Sequence, residues 1–354
     1  ESVRRCKELL KVEVHSGSEI SAEAINLSAR EKLRKFCYVC KNCDGKDCPS
    51  GVPGMGGIGT GSSFRSNIEA LKKYKINTRI IHGVTVPDTS TAFFGQKLSF
   101  PVMAAPITGA VTNMGGAIDE LEYNRAVVKG CMDAGTIAFV GDGATPDKYR
   151  IGLQALAEHE GMGVPVFKPR SDNGEIIERI RAAEKARAVA VGMDIDALVF
   201  KTMAMKNQSV GPKRLDELKE IISSTEMPFI LKGIMNVRDA VQAVEAGAHA
   251  IIISNHGGRV LDEMAGSMDV IEEIAGEVKG RIRILIDGGF RTGVDVLKAL
   301  ALGADAVLIG RPVAIAAVGM GARGVAFYLE NIRRELEQAF ELTDASAERS
   351  AAGC

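Results

Sequence analysis

From about Pro101 onward the chain alternates short apolar runs with stretches of amphipathic period. The runs are PVMAA (101–105), TIAFV (136–140), VPVFK (164–168), VAVGM (189–193), PFILK (228–232), HAIII (249–253), RILID (283–287) and DAVLI (305–309). They are almost continuously apolar, the pattern of parallel strands buried on both faces. Between them lie helical patterns such as EIIERIRAAEKA (175–186), VRDAVQAVEAG (237–247) and GVDVLKALALG (293–303), the last two closed by Gly247 and Gly303. Eight such strand–helix units predict a (β/α)8 TIM barrel, which typically takes about 250 residues. An open doubly wound sheet competes, but no GxGxxG follows the first strand.

The first hundred residues read differently, and the expected division is an N-terminal helical, Cys- and Gly-rich extension (1–100) before the (β/α)8 barrel with a C-terminal helix (101–354). Residues 21–36, SAEAINLSAREKLRKF, predict a helix. The glycine-rich GVPGMGGIGTGSS (51–63) reads, on composition alone, as a flexible surface loop. GVAFYLENIRRELEQAFELT (324–343) predicts a long amphipathic helix beside the barrel.

Composition narrows the class without naming a chemistry. The chain has 354 residues, is 46% hydrophobic and carries a formal net charge of −1. That suits a folded globular protein with a sizeable core and gives no basic surface for nucleic acid. No apolar run is long enough to span a bilayer, and ESVRRCKELL lacks the apolar core of a signal peptide, so a soluble, cytoplasmic protein without membrane contact is expected. Four of the seven cysteines crowd into twelve residues; in such a compartment clustering suggests metal or redox chemistry over disulfides.

In a barrel, functional groups project from the C-terminal strand ends, and here those ends are polar. The fourth strand is followed by Asp194, the fifth ends in Lys232, and the sixth in Ser254-Asn255-His256. The seventh ends in Asp287-Gly288-Gly289 and the eighth in Gly310-Arg311. IDGGFRTG (286–293) and LIGRP (308–312) together resemble a phosphate site: glycines let backbone N–H groups converge on an anion, and Arg291 and Arg311 can bind its oxygens. Read singly, DGG and IGR are ordinary tight turns.

Taken together, LKG (231–233), SNHGGR (254–259), DGGFRTG (287–293), KALALGAD (298–305) and IGRP (309–312), with DTSTAFFGQKLSFPVMAAP (88–106) upstream, resemble the FMN-dependent 2-hydroxy-acid oxidase and dehydrogenase family, which includes glycolate and lactate oxidases. By matching positions the resemblance implies FMN. Pro106, Ile107 and Thr108 would lie along the flavin, Lys232 at its N1/C2 edge, and Ser254 beside the isoalloxazine. Asp287, Gly288, Gly289, Arg291, Gly310 and Arg311 would hold ribityl and phosphate. It further implies His256 as the base, Asp194 as the partner of its imidazole, and Arg259 as the clamp for a substrate carboxylate. The implied reaction is oxidation of an anionic, 2-hydroxy-carboxylate substrate, with hydride passing to flavin N5. Physically, a cation at N1 stabilises reduced flavin, and a carboxylate-held histidine is an oriented base.

The departures from the family pattern all touch substrate binding. KDCPSGV (46–52) stands where the family has a tyrosine-bearing segment, Val166 and Lys168 stand where it has glutamine and tyrosine, and residues 195–213 lack its second arginine. Lys168 is a candidate replacement anion clamp. Cys37, Cys40, Cys43 and Cys48 give C-x2-C-x2-C-x4-C followed by proline, close to the run that binds [4Fe–4S] clusters, with zinc or no metal as alternatives. A cluster there is expected near the substrate side of the flavin. Two other functions remain open: redox-neutral flavin chemistry like that of type 2 isopentenyl-diphosphate isomerases, and a non-catalytic flavin or iron–sulfur sensor. No motif identifies the electron acceptor, and the resemblance implies a homo-oligomer, a tetramer or octamer.

Overall fold

The computed structural model describes residues 20–48, 53–83 and 87–345; Cys6, Cys354 and the opening ESVRRCKELL lie outside them, as do residues 49–52 of the glycine-rich stretch. All eight apolar runs are strands. They are β3 (Val102–Ile107), β4 (Ala138–Gly141), β5 (Gly163–Phe167), β6 (Val191–Asp194), β7 (Phe229–Ile234), β8 (Ala250–Ile253), β9 (Arg283–Asp287) and β10 (Ala306–Ile309). They close in sequence order into a parallel barrel, with β10 pairing back onto β3.

The continuous hydrophobicity of the strands has a direct cause. Alternate residues such as Met103, Phe139, Val166, Ile230, Ile252 and Leu308 fill the barrel interior, while their neighbours, among them Val102, Val140, Ile251 and Ile309, pack beneath the surrounding helices. Both faces are dry, so neither can be polar. A short hairpin, β1 (Thr91–Phe93) and β2 (Gln96–Leu98), adds Phe93 and Leu98 to the interior cluster, next to Met103 and Phe139.

Helices α1 (Ala22–Leu33) and α2 (Ser62–Lys73) precede the barrel; α1 begins at Ser21, whose hydroxyl accepts from the Ala24 N–H. Between the strands run α3 (Ala110–Asn113), α4 (Glu120–Asp133), α5 (Pro146–Ala157), α6 (Asn173–Lys185), α7 (Lys201–Met205), α8 (Leu215–Ser223), α9 (Val237–Glu245), α10 (Ser267–Val278) and α11 (Gly293–Ala301). Gly247 and Gly303, at φ +86° and +112°, end α9 and α11 as their positions predict.

The last helix, α12 (Arg311–Glu341), starts thirteen residues before the amphipathic pattern that predicts its second half. It bends at Met320 and Gly321, where φ is −139° and +60°. Its first part is apolar all round, with Val313 through Gly319 buried, so an amphipathic period is absent there. Among the described residues this is the one helix long and apolar enough to cross a membrane; its buried face packs on α1 and α4.

Candidate active site at the C-terminal mouth of the barrel

Register brings the charged strand ends together. Asp194 pairs with Lys232 across β6 and β7, and Phe167 with Met193 across β5 and β6, which sets Lys168 beside Asp194. The Asp194 carboxylate accepts from Lys168 Nζ at 2.7 Å and lies 3.2 Å from Lys232 Nζ. Lys232 also donates to Ser254 Oγ at 3.1 Å and sits 3.7 Å from Asp287. Burial works to raise the Asp194 pKa, yet the charges of Lys168, Lys232 and His256 outweigh it and hold the carboxyl well below its usual range. Burial likewise works to deprotonate Lys232, and Asp194, Asp287 and Asp196 overcome it, so the ammonium stays charged.

The loop after β8 is strained where its chemistry sits. His256, Gly257 and Gly258 have φ of +58°, +63° and +76°, a run in which only the histidine carries a Cβ. A Cβ on Gly258 would fall 2.4 Å from the Phe64 N, and one on Gly257 would fall 2.7 Å from Arg311 Nη1. The two glycines therefore let α2 and Arg311 close over the loop. Asn67 of α2 seals the join: its amide donates to Asn255 Oδ1 at 2.8 Å, and its carbonyl oxygen accepts from the Ser267 N–H at 3.0 Å.

The partner of His256 corrects the expectation. Both oxygens of Asp196 lie 3.1 Å from His256 Nδ1, whereas Asp194 Oδ1 is 4.0 Å from it and 3.2 Å from Lys232 Nζ. Asp196 follows β6 by two residues, and the signal for it is Gly233: a Cβ there, at φ +104°, would fall 2.5 Å from Asp196 Cβ and Cγ. Phe200 packs against the imidazole at 4.9 Å between centroids, and Lys168 Nζ lies 4.9 Å from the centre of that same phenyl ring.

Other contributors carry no motif. Asp142, after β4, accepts from Arg170 at 2.9 Å and from the Lys168 N–H at 3.1 Å, all three being buried. Glu120 accepts from the N–H groups of Gly109 and Ala110, fixing the turn directly after Thr108.

The glycine-rich segment is a packed part of the site, contrary to its composition. Met55 is buried, and its carbonyl accepts from Arg311 Nε. The carbonyls of Gly54 and Gly56 accept from Arg259 at 2.8 and 2.7 Å, and Asn113 Oδ1 accepts from the same guanidinium at 3.2 Å. Arg311 also donates to Gly257 O at 2.8 Å and stacks on Phe64 with its guanidinium carbon 4.0 Å from the ring centre. Burial and the nearby Arg311 charge pull Arg259 down to about 9.

A cavity of about 450 Å³ occupies this mouth. Pro106, Ile107 and Thr108 line it, as do Lys168, Lys232, His256 and Arg259. Asp287, Gly288, Gly289, Arg291, Gly310 and Arg311 line it too. The predicted residues it leaves out are Asp194 and Ser254, both buried behind Lys232, and the four cysteines.

Comparison with known proteins fits this geometry. The model of the FMN-dependent dehydrogenases matches residues 54–216 and 205–347. The chain belongs to that family. Among its relatives, glycolate oxidase 1 of Oryza sativa subsp. japonica is 31% identical over 322 residues, covering 80% of this chain and 83% of its own length. The peroxisomal (S)-2-hydroxyacid oxidase GLO3 of Arabidopsis thaliana is 30% identical, covering 80% of this chain and 84% of its own. A solved structure of mandelate oxidase superposes with a TM-score of 0.76 at 29% identity, over 94% of this chain and 97% of that one.

The cofactor of the family is FMN, and the cavity suits it by two observations independent of the match. Arg291 Nε and Asp287 Oδ1 are buried without a hydrogen-bond partner, a donor and an acceptor both on the cavity wall. Gly310 keeps this wall open: a Cβ there would crowd Ile107 Cδ1 at 3.2 Å. An anionic, polyhydroxylated ligand answers these needs.

The four clustered cysteines lie close to the arginines of the site, with Cys48 near enough for its charge to act on Arg259 and Arg311. Cys43 Sγ lies 3.3 Å from Arg291 Nη2, the arginine of the seventh-strand loop, and among the described residues no cysteine lines the cavity itself. Burial pushes the Cys37 thiol up to about 11, and the charges of Cys43, Cys48 and Cys40 push the same way.

Proposed function

We propose that this dehydrogenase oxidises a 2-hydroxy carboxylate, with His256 as the proton acceptor. The observation that carries the reading is the imidazole on the cavity wall, held at Nδ1 by Asp196, three residues before a guanidinium on the same wall. With Asp196 accepting from Nδ1–H, the lone pair is on Nε2, which takes the proton of the substrate hydroxyl. Arg259, on the same cavity wall, binds the substrate carboxylate and so fixes the α-carbon relative to His256. When bound, FMN supplies the acceptor for the hydride leaving that carbon.

Arg291, Arg311, Asp287 and the glycines at 288, 289 and 310 would hold the phosphate and ribityl of the cofactor. Lys232 would face the edge of its ring and Pro106 to Thr108 its flank. Lys232 brings a permanent positive charge there because Asp194 and Asp287 keep it protonated. Lys168 is a weaker clamp than its charge suggests, since Asp194 already neutralises it at 2.7 Å. The remaining wall includes Met55, Met114, Phe200 and Met203. Such adaptable apolar side chains favour a substrate with an apolar substituent over glycolate.

Anaerobic mixing of the FMN-loaded protein with a panel from glycolate through lactate to mandelate tests the proposal. Flavin bleaching with stoichiometric 2-oxo acid is expected, strongest for the larger apolar members. Absence of bleaching across the panel would remove the reading.

A further inference from the structure

Between Leu33 and Ser62 the described residues form no helix or strand, and only Val39 and Met55 among them are buried apolar side chains. A stretch of that length without regular structure is unusual inside a compact domain, and so small an apolar share is too little to hold it. Yet it shapes the site: Met55 N–H donates to Phe36 O, Ile58 N–H donates to Gly258 O, and carbonyls 54–56 receive Arg259 and Arg311. Something other than a core must fasten it. What the segment does contain is four cysteines, each partly buried and none in a disulfide.

We propose that Cys37, Cys40, Cys43 and Cys48 bind one [4Fe–4S] cluster through their four thiolates, with Arg291 at its edge. Two further observations support this group. The first three cysteines are separated by two residues each and the fourth returns after a short turn at Gly45, φ +81°. That order follows the ferredoxin-type run with one residue more in the last interval.

Finally, donors already point at the sulfurs. Arg291 Nη2 lies 3.3 Å from Cys43 Sγ, and Val39 N–H points to Cys37 Sγ at 3.4 Å. Hydrogen bonds of this kind stabilise the negative charge on cluster thiolates and tune their potential. Cys40 and Cys43 also line a hollow of about 720 Å³ beside Arg291 and Tyr328. The cluster would thus brace the segment that carries the carbonyls bound by Arg259 and Arg311, from behind the cavity and not within it.

The test is iron and acid-labile sulfide analysis of the full chain purified without oxygen, followed by low-temperature electron paramagnetic resonance after reduction with dithionite. About four iron and four sulfide per chain are expected, with a fast-relaxing signal on one-electron reduction. Stoichiometric zinc, a single iron without sulfide, or no iron after anaerobic reconstitution with ferrous iron and sulfide would each overturn the proposal. Cys40→Ser should abolish the signal while FMN remains bound; a cluster that survives both Cys40→Ser and Cys43→Ser would also overturn it. Because the metal analysis needs no variant and no turnover, it stands whether or not a hydroxy acid is the substrate.

Discussion

The two sides of the barrel mouth are built on different rules. On the side of β7 to β10 each strand ends in a motif whose residues act where they stand: Lys232, His256, the Asp287 loop and Arg311 all face one cavity. On the side of β4 to β6, with the segment before α2, the acting groups are held by partners distant in sequence. Asp142 joins Arg170, Asp194 joins Lys168 and Lys232, and Asp196 joins His256. One side of the mouth is therefore legible as local motifs, while the other is assembled from long-range ion pairs.

The sharpest way to break this comparison is Asp194→Asn. If Asp194 serves the lysines, its loss strands two buried ammonium groups, and unfolding by denaturant should show a deficit of about 3–5 kcal/mol. The acid limb carries the same sign. The folded carboxyl titrates below the ~3.9 of an unfolded aspartate, so its contribution is complete above that pH and disappears as pH falls towards the folded value. The variant should accordingly lose less stability than the parent between about pH 4 and pH 2. Equal stability of variant and parent at neutral pH would return Asp194 to a role at the imidazole.

A smaller effect is expected from Asp196→Asn. Flavin reduction should slow roughly tenfold with FMN content unchanged, and Asp196→Glu should restore part of the rate, since the imidazole loses its orienting carboxylate but not its basic nitrogen. A loss of folding stability without a rate defect would reduce Asp196 to a structural group.

The same contrast explains what could be read from the sequence. The eight strands were legible because a wall buried on both faces permits only apolar residues, and the rim of β7 to β10 because its motifs are contiguous. Asp194 as the imidazole partner was a reading by position, and register overrides it: facing Lys232 across the sheet, its carboxylate is already taken. Asp196 could have been suspected only from Gly233, whose missing side chain is the space it fills. The glycine-rich segment misleads for a related reason. Its carbonyls, not its side chains, do the binding, and composition is silent about carbonyls. The beginning of α12 was hidden because a helix buried on every side shows no period.

The central claim, that the imidazole after β8 is the base of a hydroxy-acid oxidation, is tested most directly by single-turnover anaerobic flavin reduction in His256→Ala at matched FMN content. Reduction at least about a hundredfold slower than in the parent is predicted, the scale of a lost general base. An unchanged rate would contradict it.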